Sequence, residues 1–302
     1  MAIRISGDDL WIDSVMIRRP ALGAAVAAAL GAIATAGTSS SVLNDFTGAA
    51  PDPPNKSSWV YPELLEGIAT RRKKERELRD YVAREGPALA ALNADRVKRC
   101  RAASSSSGCE AAQRKYTDLV RRLERETAEL TWGSVEAQAR RSRFTRDYGC
   151  TAWTDQAIAE LKGHAPLVEV GAGNGQWAAA LRRAGASIVA YDDFSALPLP
   201  RKPAENQGVL RGNESVLSGW RLHLRPRTLL VVYPEGDLLL RCLSRYRGEV
   251  LLFVGEGRGG VNATEETFDL LERDWVVERT VQVRPFDGGY EKLWVCRRRR
   301  PF

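Results

Sequence analysis

The residues with the most chemistry to offer lie between Pro166 and Asp193. Glu169 interrupts a short apolar run, Leu167 to Val170, and Gly171-Ala172-Gly173-Asn174-Gly175 follows it. A helical run, Trp177 to Ala184, comes next and ends at Gly185. Ser187 to Tyr191 is apolar and β-branched, as a buried parallel strand is, and Asp192 and Asp193 close it. Glycines let the backbone turn tightly and approach a ligand closely. A helix N-terminus presents unbonded N–H groups and the positive end of the helix dipole. A carboxylate about 20 positions after the first glycine reaches the ribose hydroxyls of a nucleoside. The expected ligand is a nucleoside-containing cofactor; the other reading is an ordinary α/β turn whose glycines serve packing.

Spacing narrows the choice. A dinucleotide fingerprint, G-x-G-x-x-G, needs its third glycine at position 176, where Gln176 stands; the third glycine here is Gly175. No Lys-Ser or Lys-Thr follows, which excludes a P-loop. The pattern Glu169-Val170-Gly171-Ala172-Gly173-Asn174-Gly175 resembles motif I of class I S-adenosylmethionine-dependent methyltransferases, acidic-x-G-x-G-x-G. The resemblance implies S-adenosyl-L-methionine as cofactor. Glu169, Gly171, Ala172, Gly173, Asn174 and Gly175 would line its methionine side, Asp192 and Asp193 its ribose, and Asn213 its adenine amine. By the same analogy the loop before the first helix covers the methionine end, which makes Tyr148, Gly149 and Trp153 lid candidates. Trp153 reads equally well as a core residue.

A second stretch resembles motif IV of that family, where the acceptor meets the methyl group. The buried strand Thr228 to Tyr233 runs into Pro234-Glu235-Gly236-Asp237. Amino-methylating relatives carry Asn/Asp-Pro-Pro-aromatic there; this chain lacks the second proline and the terminal aromatic. The implied acceptor is a small molecule or a protein rather than a nucleic-acid base. Tyr233, Glu235 and Asp237 are the catalytic candidates, the two acids as base or orienter, or else simply exposed loop acids. Three functions fit. The first is methyl transfer from S-adenosylmethionine by in-line displacement. The second is a non-catalytic methyltransferase-like scaffold. The third is a nicotinamide-dependent oxidoreductase, against which the early third glycine and the lack of a Tyr-x-x-x-Lys relay both count.

These residues need a scaffold, and the rest of the chain supplies one. Residues 144–302 alternate strand and helix signals and end in two strands joined through Pro285-Phe286-Asp287-Gly288-Gly289. Thr154 caps a helix with Ala157, Ile158 and Leu161 on its apolar side. The expectation is an α/β, Rossmann-like class I methyltransferase fold: a mostly parallel seven-stranded sheet with an antiparallel terminal hairpin. Gly255-Glu256-Gly257-Arg258-Gly259-Gly260 follows the fifth strand and reads as a mobile active-site loop.

Before this domain, residues 62–143 read as a basic helical hairpin. Helical runs are separated by Gly86-Pro87 and by the serine turn 102–108, and the last helix spans about 110–141. Residues 71–146 carry twenty Lys/Arg against eleven Asp/Glu, so most of the chain's net charge of +7 sits here. An anionic partner for Arg71-Arg72-Lys73-Lys74 and a solvated helix face both account for that charge. Cys100 and Cys109 flank the serine turn and are either a disulfide staple or two thiols. The five cysteines and two histidines fit no zinc spacing, so no metal site is expected.

Residues 1–15 are expected to be disordered. From Met16 a basic start, an alanine-rich run at 21–36 and Ala34-Thr35-Ala36 give the layout of a targeting peptide or membrane anchor over 16–37. A disordered leader is the alternative. The layout points to an organelle, secretory or membrane-anchored location, with membrane association through 21–36. Residues 38–61, with Pro51-Asp52-Pro53-Pro54, read as a linker.

Overall fold

The computed structural model describes residues 3–6, 9–12, 15–16, 58–102, 107–195, 208–218 and 227–299. The chain divides into two units, one of residues 1–51 and 70–139, the other of 52–69 and 140–302. In the first, β1 (Ile3–Ser6), β2 (Asp9–Ile12) and β3 (Val15–Met16) pair antiparallel in chain order. Disorder was expected there, but Ile3 and Ile5 alternate with Arg4 and Ser6 at the period of two that strand pairing uses, and Leu10-Trp11-Ile12 is a β-prone apolar run. Beyond Met16, the targeting or anchor segment expected at 16–37 lies outside the described residues. No helix among the described residues is long and apolar enough to cross a membrane.

One helix, α1 (Pro62–Ala102), runs straight through Gly86-Pro87, where the sequence suggested a break. An interior proline loses one backbone hydrogen bond and costs about 3 kcal/mol. Packing against α2 (Ser107–Trp132) on both sides of Pro87 overrides that penalty. Leu78, Tyr81 and Leu89 are buried. Tyr81 donates to Glu126, Arg122 reaches Glu85 at 2.8 Å, and Arg96 reaches Gln113 at 3.2 Å. As the α1 number rises its α2 partner's falls, so the two helices are antiparallel. Cys100 and Cys109 are disulfide-bonded at the hairpin's end, their Cα atoms 4.7 Å apart. The last expected helix is two: α2 stops before Gly133, and Ser134 accepts the Ala137 N–H at the start of α3 (Val135–Tyr148).

The second unit is built on seven strands: β5 (Leu167–Val170), β6 (Ile188–Asp192), β7 (Val209–Arg211), β8 (Thr228–Val232), β9 (Val250–Gly255), β10 (Trp275–Gln282) and β12 (Lys292–Arg298). Their order across the sheet is β10-β12-β9-β8-β5-β6-β7. The five central and right-hand strands run parallel, and β12 lies antiparallel between β9 and β10. A small ribbon pairs β4 (Thr151–Ala152) with β11 (Arg284–Pro285). This is the mostly parallel α/β sheet with a terminal antiparallel hairpin that the resemblance implied.

Alternation along the strands divides the core in two. Leu167, Ala190, Leu230 and Leu252 pack with Ala157 and Leu161 of α4 (Asp155–Gly163) and with Trp177, Ala178 and Leu181 of α5 (Gln176–Arg183). Val168, Val170, Leu229, Val231 and Phe253 pack with Leu239 and Leu243 of α6 (Leu238–Arg245) and with Phe268 and Leu271 of α7 (Glu265–Asp274). Thr154 is the α4 N-cap, its hydroxyl accepting the Ala157 N–H at 3.1 Å.

Trp59 belongs to that second core. The sequence placed it in a linker, yet it is 1 % exposed, with ring centroids 4.6 Å from Trp294, 5.7 Å from Phe268 and 6.1 Å from Phe253. Its carbonyl accepts the Arg258 N–H at 3.0 Å. A Cβ on Gly257 would sit 1.8 Å from that oxygen, so only glycine permits the approach. Replacing a buried Trp with Ala costs roughly 3–5 kcal/mol. Trp59→Ala is expected to lower the stability of the α/β unit by that amount in urea unfolding, and Trp59→Phe by less. A loss below about 1 kcal/mol would mean the site tolerates the cavity.

Candidate active site

The strand order switches direction at β5, from which the chain steps to β6 and β7 on one side and later to β8 and β9 on the other. In parallel sheets a crevice opens at the carboxyl ends of the strands flanking such a switch. Gly171–Gly175 leaves β5 and Tyr233–Gly236 leaves β8, so both stretches singled out in the sequence belong to one crevice.

Gly171, Gly173 and Gly175 have φ of 77°, 56° and 79°, in the left-handed region that side chains resist. The Gly171 and Ala172 N–H groups both donate to the Tyr191 carbonyl, at 2.9 and 3.0 Å. At the centre the Gly173 N–H donates to Asp192 Oδ2 at 2.8 Å, and the Phe194 N–H donates to Asp192 Oδ1 at 2.6 Å. The acid at the β6 tip thus ties the turn to the next strand. A carboxylate can accept about four hydrogen bonds, so this anchoring is compatible with hydroxyls approaching as well.

Glu169 lies beneath the turn, 1 % exposed, and no described residue bonds its Oε2. Burial pushes its carboxyl up to about 8; Asp192 adds to the shift and Arg182 opposes it. An orphaned buried carboxylate oxygen behind a glycine turn fits a cationic ligand group, such as the ammonium of a methionine moiety.

Gln176 fills the place of the third dinucleotide glycine. It is buried, and its Nε2 donates to the Thr145 and Arg146 carbonyls at 3.3 and 3.2 Å, fastening the end of α3 to the start of α5. Trp177 Nε1 donates to the Thr151 carbonyl at 2.9 Å. The lid candidates form an aromatic chain: Tyr148 lies 5.3 Å from both Phe144 and Trp153, and Trp153 lies 5.6 Å from Trp177. Arg284 stacks 4.7 Å from the Tyr148 ring.

Two of the expected ligands also make local contacts. Asp193 is exposed and accepts the Ser195 N–H at 2.9 Å and the Ser195 hydroxyl at 2.7 Å, which hold its carboxyl below the usual range. Asn213 is exposed, and its Oδ1 accepts the Ser215 N–H at 3.1 Å, capping the short 3-10 turn Glu214–Ser218. Both are local turn-makers at strand ends.

On the acceptor side, Tyr233 takes a left-handed φ of 51°, and its N–H donates to the Val254 carbonyl at 2.7 Å. Burial first, then Cys150, Glu291 and Glu256, raise its pKa, so it stays a neutral phenol. Glu235 is exposed on the turn. Asp237 pairs with Arg241 one helical turn on, at the start of α6, and that ion pair accounts for its charge.

The loop after β9 was expected to be mobile. Instead Gly255, Glu256, Gly257 and Arg258 are buried. Glu256 accepts the Tyr290 N–H at 3.1 Å and the Val261 N–H at 2.8 Å. Asn262, fully buried, accepts the Glu256 N–H at 2.9 Å and donates to the Pro234 carbonyl at 3.4 Å. Sequence reasoning missed Asn262, Glu256 and Gln176. Their partners lie up to 34 residues away, and no spacing rule signals such contacts.

No protein-family model and no curated protein matches the chain. Among solved structures it is similar to the mitomycin 7-O-methyltransferase MmcR, at 17 % identity over 72 % of each chain with a TM-score of 0.29. It is also similar to a variant of MtNAS in complex with S-adenosylmethionine, at 15 % identity over 80 % of this chain and 99 % of that one, TM-score 0.33. A third is the N,N-8-amino-8-demethyl-D-riboflavin dimethyltransferase RosA from Streptomyces davawensis, at 15 % identity over 68 % of each chain, TM-score 0.31. At these TM-scores the function of the crevice rests on its own geometry.

Glu169 links that geometry to pH. Its carboxyl titrates near 8 when folded and near 4.3 in an unfolded chain. The folded state therefore holds the proton more tightly. Glu169's contribution is full below about pH 4.3 and is lost as pH rises through about 8. Glu169→Gln, without ligand, is expected to remove a decline on the order of a few kcal/mol between those limits. Urea midpoints of both proteins across that range measure it; parallel curves would contradict a desolvated Glu169.

Proposed function

We infer that the α/β unit is an S-adenosyl-L-methionine-dependent methyltransferase. The observation that carries this is the glycine turn at the switch point, held at the Gly173 amide by Asp192, with the buried Oε2 of Glu169, which no described residue bonds, behind it. Glu169 would hold the ammonium of the methionine moiety and Asp192 the ribose hydroxyls. S-adenosylmethionine has no pyrophosphate, so its turn need not be shaped around one. Gln176, buried and doubly bonded where a dinucleotide turn needs glycine, disfavours a nicotinamide cofactor.

S-adenosylmethionine supplies an already activated methyl group, so the protein's work is mainly positioning and excluding water. Orientation of this kind contributes up to roughly 7–11 kcal/mol. The rigid turns on β5 and β8 fix the relative places of cofactor and acceptor. Tyr233, a neutral phenol, would orient an acceptor by a hydrogen bond, and Glu235 or Asp237 would take its proton. A small molecule or a protein is the acceptor class, since the Tyr233–Gly236 turn lacks the base-methylating pattern.

Calorimetry with S-adenosylhomocysteine tests the reading. Binding is expected for the full chain, with NAD giving no heat. Asp192→Ala and Gly173→Val are each expected to weaken binding about 100-fold or more, equivalent to about 2.7 kcal/mol. Unchanged affinity in both variants, or preferential binding of NAD, would overturn it.

A further inference from the structure

The turn leaving β8 is held unlike the turn leaving β5. Tyr233 occupies a left-handed conformation that a tyrosine resists, at a cost of roughly 1–3 kcal/mol, so something around it must over-determine that backbone. One restraint is the Tyr233 N–H bonded to the Val254 carbonyl at 2.7 Å, and a second lies in the carbonyl of Pro234. It accepts the Ala263 N–H at 3.2 Å and Asn262 Nδ2 at 3.4 Å. The other end of the Asn262 amide, Oδ1, accepts the Glu256 N–H at 2.9 Å. Asn262 is 0 % exposed, so both bonds are made away from water.

The loop that carries Asn262 is itself fixed. Glu256 takes the Val261 N–H with one oxygen and the Tyr290 N–H with the other. Cβ atoms added at Gly255 and Gly260 would lie 2.5 Å from the Phe253 ring and from Glu256 Cβ respectively, so the loop is closed down on its own side chains. The amide donates from Nδ2 and accepts at Oδ1, spanning two backbone partners at once; an aspartate in its place would set a carboxylate against the Pro234 carbonyl.

From this geometry we propose that Asn262 is a positioning residue for methyl transfer, clamping the Tyr233–Gly236 turn through the Pro234 carbonyl so that the acceptor keeps its line to the cofactor. The proposal rests on the methyltransferase reading and extends it to a residue outside both turns. The Asn262 amide is bonded to the Glu256 and Pro234 backbone, so its action is through the backbone of residues 233–236.

The test uses the full chain and its Asn262→Asp and Asn262→Ser variants. Three quantities are measured: S-adenosylhomocysteine affinity, amide hydrogen exchange by mass spectrometry, and transfer of labelled methyl to a panel of amine, phenol and protein acceptors. Affinity is expected to stay within about twofold of the parent. Exchange at residues 233–237 is expected to rise about tenfold or more, with 167–175 unchanged. Methyl transfer is expected to fall about tenfold or more in kcat while the KM for S-adenosylmethionine holds.

Unchanged exchange at 233–237 would overturn the clamp. Faster exchange with undiminished transfer would overturn its role in positioning. Loss of cofactor affinity together with protection at 167–175 would mean a general structural role and would also overturn it. Should the parent chain bind no S-adenosylhomocysteine, the methyltransferase reading fails, and the exchange arm still decides whether Asn262 holds the turn. If Asn262→Asp does not fold, Asn262→Ser, which adds no charge, gives the same comparison.

Discussion

The hydrogen bond from the Gly173 amide to Asp192 is the contact on which the crevice depends. It joins the middle of the β5 turn to the tip of β6, 19 residues on, at 2.8 Å. A chain with three left-handed residues in five has high conformational freedom when unfolded, and glycine loses more of it than any other residue. The carboxylate offsets that loss with charge-assisted bonds to two backbone amides, at Gly173 and Phe194, on its two oxygens. The parallel register between β5 and β6 sets Val170 beside Tyr191 and so delivers the acid to the turn. Sheet pairing, turn and acid form one structural unit.

The carboxylates differ by role because their surroundings differ. Asp192 is anchored by amides, Asp193 by a serine, and Asp237 by an arginine. Glu169 has a buried oxygen that no described residue bonds. Burying such an oxygen is costly unless a partner arrives, and this sets Glu169 apart from Asp192, Asp193 and Asp237. A cation bound above it would remove the cost, which ties the stability of the empty fold to occupation of the crevice.

How much of this the sequence revealed follows from the range of each interaction. The β5–α5–β6 unit was readable because its signals are local: glycines, helix period and terminal acid lie within about 25 positions. The Thr154 cap was readable for the same reason, its partner being three residues on. The hairpin's existence was readable too, but Gly86-Pro87 misled, since contacts from Tyr81 to Glu126 and from Glu85 to Arg122 carry the helix across a residue that local propensity would end it at. Trp59 escaped because its partners, Phe253, Phe268 and Trp294, lie roughly 200 residues away, and the prolines before it read as a linker.

Glycine richness marks opposite properties in the two loops. At 171–175 the glycines supply left-handed φ. At 255–260 they let the chain collapse: Gly257 admits the Trp59 carbonyl, and Gly255 and Gly260 admit Phe253 and Glu256. The second loop is therefore rigid, with one flank against Trp59 and the other against Pro234 through Asn262 and Ala263. A segment near residue 59 and the turn at 233–236 are thus braced by the same eight-residue loop. The packing of the α/β core at Trp59 and the geometry of the turn at 233–236 draw on contacts of one loop.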